Sequence, residues 1–140
     1  MARTTTSLRL DDELRRKLQK LARAENLSLN ALVERMLNEG ILMEEYPGIY
    51  FETGPAGRRA TITGGPDVWE VISTWRYLDG DEAQRMSSLI EDYGLTRWQV
   101  NAAINYAAAN REEIDNWIAE NDRGYEEYER LQAERERLLS

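Results

Sequence analysis

Apolar and polar residues change rhythm several times along this chain. Over residues 3–10 they alternate: Thr6, Leu8 and Leu10 fall on one side, Thr5, Ser7 and Arg9 on the other, the two-residue period of a strand. Helical spacing then takes over. Asp11 stands where an N-cap belongs, and Leu14, Leu18, Leu21 and Ala22 form a stripe behind it. Asn26 suits a left-handed stop and Ser28 the next N-cap. Leu32, Val33, Met36 and Leu37 stripe a second helix, and Gly40 marks an end or a weakening in it. Pro47 and Gly48 break the helical pattern.

Residues 49–53 and 58–63 are short β-rich runs on either side of Gly54, Pro55, Ala56 and Gly57, the pattern of a hairpin. Three more helices follow. The first is capped by Asp67 and striped by Val68, Trp69, Val71, Ile72 and Trp75. The second carries Ala83, Met86, Leu89 and Ile90, and the third, capped by Thr96, carries Val100, Ala103, Ile104 and Ala107. Trp69, Trp75 and Trp98 sit beside apolar stripes and are expected in or at the edge of a core. From Asn110 onward the chain is one charged helical stretch with a discontinuous apolar face of Ile114, Trp117, Ile118, Tyr125, Tyr128 and Leu131, interrupted at Gly124. Such a tail folds against a partner, lies back on the second domain or pairs in a dimer. The expected fold is mainly α, with domains at 1–44, 45–110 and 111–140.

The alternating segment poses a pairing problem. One strand of this length is not stable alone, and no partner strand follows in the next forty residues. A second copy of the same strand from another chain solves it. The resulting antiparallel ribbon is of a size to enter the DNA major groove, where Thr5, Ser7 and Arg9 reach base edges. An ordinary αα-hairpin accounts for the two helices but leaves the alternation ahead of them unexplained.

The stretch SLRLDDELRRKLQKLARAENLSLNALVERML resembles the ribbon-helix-helix DNA-binding family of the Arc/MetJ/CopG type. The resemblance implies a homodimer built on a shared ribbon, one intermolecular strand and two helices per chain. By position it implies DNA contact through Arg3, Thr5, Ser7 and Arg9, and Leu8 and Leu10 in the dimer core. Ser28, Asn30 and the start of the second helix would hold a phosphate, as helix ends do. Further on, the pieces GRRATITGG, DVWEVI, EDYGLT and AAINYAAANREEID resemble a second family. It comprises small helix-turn-helix domains, many of them in VapB-like antitoxins paired with PIN-domain toxins. That layout suits protein binding as well as DNA binding. Arg97, Gln99 and Asn101, at the start of its last helix, are candidates for a second DNA contact.

Charge changes the picture in one respect. The net charge of −8 is uneven: residues 1–44 hold 8 basic and 7 acidic side chains, residues 45–110 hold 5 and 9, residues 111–140 hold 5 and 10. The first part is the one suited to approach a polyanion. The acidic tail is either a solvated helix face or a surface for a basic partner. No cysteine and no histidine are present, which makes zinc sites and histidine-based catalysis hard to build. The sequence has no phosphate-binding loop. Asp79, Gly80 and Asp81 lack the closing Glu of a calcium loop. Asn26-Leu27-Ser28 fits a glycosylation acceptor, but Ser28 already has a role as a cap. Neither a signal core nor an apolar run of membrane-spanning length occurs.

These readings converge on a non-enzymatic, cytoplasmic protein without cofactor or metal, an operator-binding homodimer. The resemblances make it the antitoxin of a type II toxin–antitoxin system. The expected toxin is a PIN-domain ribonuclease, met by Trp117, Tyr125, Tyr128 and Leu131. Arg130, Arg135 and Arg137 are candidates to enter its metal-binding carboxylate site. The competing reading is a free-standing repressor whose second domain senses a ligand or assembles oligomers.

Overall fold

A computed structural model describes residues 2–140. In chain order the elements are α1 (Asp12–Ala24), α2 (Leu29–Glu45), β1 (Ile49–Gly54), β2 (Gly57–Ile62), α3 (Val68–Tyr77), α4 (Glu82–Glu91), α5 (Arg97–Ala109) and α6 (Arg111–Leu139). The fold is mainly helical. It divides into two compact units, Met1–Ile41 and Leu42–Ser140.

In the first unit the local signals act as read. Asp11 accepts from the Leu14 N–H at 2.9 Å, and Ser28 Oγ accepts from the Ala31 N–H at 3.1 Å. Asn26 takes the left-handed conformation, φ 54°, between the two helices. Arg35 and Glu25 join α2 to the end of α1 through a half-buried pair at 2.6 Å. Gly40 does not end α2, which runs on to Glu45. One glycine costs a helix about 1 kcal/mol relative to alanine, too little to break it when its neighbours continue the turn. Residues 2–10 form no strand within one chain. The one strand pair among the described residues is β1 with β2.

The second unit carries the larger core. β1 and β2 form an antiparallel hairpin, with Ile49 opposite Ile62 and Gly54 opposite Gly57. Its inner side, Ile49, Ala60 and Ile62, joins Val68 and Val71 of α3, Leu89 of α4, and Val100, Ala103 and Tyr106 of α5. The Tyr106 ring meets Tyr46 and Phe51 edge-on at 5.5 and 6.2 Å, and its hydroxyl donates to Glu113 at 2.7 Å. Burial of the ring with its one polar atom satisfied makes it a natural keystone for this core.

Asp67 sits at the N-cap position of α3 but makes no capping bond. Its carboxylate is taken instead by β2: Arg59 Nε donates to one oxygen and Thr61 Oγ1 to the other, the latter at 2.8 Å. Thr61 and Asp67 are both buried, so a charge-assisted bond there is worth more than a cap open to water. The Arg59 guanidinium lies over Gly54, where a Cβ would come within 2.3 Å of Nη1. Thr96 and Gln99 form a capping box on α5, as Asp81 and Gln84 do on α4.

Trp69 and Trp75 pack against the core, partly buried. Trp98 is exposed, its ring lying on Gly48. α6 docks through Ile114, which is buried, and through partly buried Ile118. Arg76 of α3 donates to Asp115 at 2.7 Å. Gly124 does not interrupt α6, which continues unbroken to Leu139.

Candidate nucleic-acid interface and partner-binding helix

Two regions carry the candidate functional residues, one in each unit. The first is residues 3–10 with the start of α2. Thr5, Ser7 and Arg9 are exposed. Leu8 is 58% and Leu10 37% exposed, and Leu14, Leu21, Met36, Leu37 and Ile41 are also open to solvent. Among the described residues of this unit, only Ala22 and Leu32 are buried. Two buried side chains cannot offset the ordering of forty residues, so the unit as a single chain lacks most of a core. A groove of about 690 Å³ runs between the arm and α2, with Leu8, Leu10, Val33 and Leu37 on its walls.

Arg3 is not free in this arrangement. Its guanidinium pairs with Glu34 at 3.0 Å, both side chains mostly exposed. Exposed pairs of this kind are weak. The sequence pattern had no means of showing this pair, since it joins residues 31 apart. Ser28 Oγ uses an acceptor site for the cap and keeps its own proton to give. The first N–H groups of α2 and exposed Asn30 stand beside it.

The second region lies in the second unit. At the start of α5, Arg97 and Asn101 are exposed, but Gln99 is committed inward. Its Oε1 accepts from the Thr96 N–H at 3.0 Å, and its Nε2 donates to the Thr63 carbonyl at 3.2 Å. A base contact by Gln99 would have to break both bonds. The Thr-x-x-Gln spacing of a capping box was the signal in the sequence.

Along α6 the candidates separate. Trp117 is half-buried, its ring beside Gly57 at the hairpin turn. Tyr125, Tyr128 and Leu131 are more than half exposed, and Leu138 is 83% exposed. A hydrogen bond to Glu129 pushes the Tyr125 phenol up. Arg130 pairs with Glu127 at 3.7 Å and Arg137 with Glu134 at 3.9 Å. Both arginines lie about 160–180° around the helix from Tyr128, away from the aromatic face. Arg135 lies about 20° from Tyr128, on that face, and makes no ion pair among the described residues.

A cleft of about 400 Å³ opens between α3 and the end of α4, floored by Val71, Leu89 and Leu95 with Glu70 and Tyr93 at its edge. Desolvation, then the nearby Asp67 charge, pushes the Glu70 carboxyl up. Among the described residues no cluster of acidic side chains is arranged to hold a metal ion, and no helix is long and apolar enough to cross a membrane.

The first unit is thus an extended arm of alternating residues followed by two capped helices with an open apolar face. Residues 4–42 match the family described as ribbon-helix-helix protein, copG family. Proteins of that family bind DNA as dimers, and the match supports a DNA-binding regulator or antitoxin-type function. No curated protein and no solved structure matches the chain.

Proposed function

We propose that the chain is the antitoxin of a type II toxin–antitoxin pair, binding its own operator as a homodimer through residues 1–44. The observation that carries the DNA-binding half is the incomplete core of the first unit behind an exposed Thr5, Ser7 and Arg9. Pairing two arms buries Leu8 and Leu10 and turns the three polar side chains outward into the major groove. Ser28, Asn30 and the N–H groups of α2 then take a phosphate. Residues 45–110 act as a VapB-like second domain, with Arg97 and Asn101 available for a further DNA contact.

The toxin half rests on α6. Its distal turns, within the expected tail 111–140, expose Tyr125, Tyr128 and Leu131 without intrachain cover. These side chains dock in a groove of the toxin, a PIN-domain ribonuclease whose acidic metal site accepts an arginine. Of the three arginines, Arg135 is the one on the docking face. The protein works in the cytoplasm and needs no cofactor.

The test has two arms. Electrophoretic mobility shifts on the DNA upstream of its own gene should show tight binding that weakens steeply with salt. Arg9→Ala should lose about 1–3 kcal/mol, roughly 5- to 150-fold in affinity. Co-expression with the neighbouring gene should rescue cells from a small nuclease. Absence of such a neighbour, or a nuclease left fully active, defeats the toxin half alone.

A second reading is favoured by the cleft beside Glu70. A pocket of about 400 Å³ with an apolar floor and one carboxylate at its edge is of a size to hold a small ligand. It would make the chain a free-standing repressor with a sensing domain. Operator release by a small metabolite in the absence of any toxin would select this reading.

A further inference from the structure

The distal half of α6 contains a repeat that its charge count conceals. Glu120-Asn121-Asp122-Arg123, Glu127-Tyr128-Glu129-Arg130 and Glu134-Arg135-Glu136-Arg137 recur every seven residues. Seven residues are nearly two helical turns, so each position keeps its place around the helix. Glu120, Glu127 and Glu134 therefore form one acidic row, each pairing with the arginine three residues on, at 3.9, 3.7 and 3.9 Å. Asp122, Glu129 and Glu136 form a second acidic row on the other side. Between the rows lie Tyr125, Tyr128, Leu131 and Arg135, all exposed. The charged rows keep the seven-residue period, and an exposed apolar strip bounded by them is the form of a helix that packs along another helix.

Charge decides what that other helix is. A second copy of α6 laid face to face would bring acidic row against acidic row in either orientation. A parallel copy would also set Arg135 against Arg135. Like charges held so close are destabilising. We propose that this strip docks on a helix of a different protein, one with basic residues along both rims of an apolar seam and a carboxylate opposite Arg135. The inference builds on the reading of α6 as the partner-binding element and specifies the chemistry of the surface it meets.

Three-heptad helical peptides test it against the full-length chain. One carries a Leu seam, Lys at both rims and a single Glu in the seam. A second reverses the rim charges to Glu, and a third replaces the seam Glu by Leu. Fluorescence anisotropy should show the first binding at least about tenfold more tightly than the second, with the difference shrinking in high salt. Tyr128→Ala with Leu131→Ala should weaken binding at least about tenfold. Arg135→Gln should abolish the preference for the Glu-containing seam over the Leu seam. These side chains are exposed, and circular dichroism will confirm that the variants keep their helix. Equal binding of the charge-reversed peptide, or no binding of the first at about 100 μM, overturns the proposal. So does a loss of self-association in the Tyr128→Ala, Leu131→Ala variant, because the strip would then be covered by a second copy. The peptide result decides the strip, whereas nuclease neutralisation by the unaltered chain decides the toxin reading, so either can fail without the other.

Discussion

Leu8→Ala asks whether the first unit is completed by a second copy. In the single chain Leu8 is 58% exposed. Full burial of a leucine side chain contributes about 1.5–3 kcal/mol. Burying the remaining exposed part on dimerisation therefore contributes about 1–1.7 kcal/mol per protomer. The site occurs twice in a symmetric dimer, so the substitution should weaken association by roughly 2–3.5 kcal/mol. That is about a 30- to 300-fold rise in the dimer dissociation constant. Sedimentation equilibrium over a dilution series reads it directly. Leu138→Ala is the matched control: Leu138 is 83% exposed but lies at the end of α6, so its loss should leave the constant unchanged. An equal effect of the two substitutions, or a dimer indifferent to Leu8, would refute the shared ribbon.

Other expectations concern the second unit. Asp67→Asn removes the charge held by Arg59 and should cost about 1.5–3 kcal/mol, seen as a lower thermal midpoint; an unchanged midpoint would mean that β2 and α3 do not rely on this link. Gly48→Ala should destabilise by at least about 1 kcal/mol and shift tryptophan fluorescence, because Gly48 has φ 94° and a Cβ there would come within 2.3 Å of the Trp98 ring. The Arg76 hydrogen bond holds the Asp115 carboxyl below the ordinary carboxylate range. A lowered pKa stabilises the fold above the ordinary value, and that contribution is lost as pH falls through the lowered one. Hydrogen exchange in the first turns of α6 should therefore rise only in strong acid, whereas in Arg76→Ala it should already be raised at neutral pH; a flat acid profile in the unaltered chain would remove the pair's role.

Much of this molecule was written in local patterns. Asp11, Ser28 and Thr96 capped helices where their spacing placed them, because a cap bonds to N–H groups only two or three residues away. The left-handed Asn26 and the hairpin were legible for the same reason. The heptad rows of α6 were present too, but a count of net charge averages over them. Glycine was the misleading signal: Gly40 and Gly124 each weaken a helix without ending it, since neighbouring turns keep their bonds.

Competition between distant groups was another matter. Asp67 turned from its own helix to Arg59 and Thr61, and Arg3 turned to Glu34. Gln99 reached the Thr63 carbonyl, and Trp117 settled against the hairpin turn while Tyr128 stayed open. A sequence determines on its own what depends on neighbours within a turn or two of the chain. Which polar group wins a partner, and which face of a helix is left uncovered, depends on residues brought together from tens of positions away, and only the folded arrangement decides that.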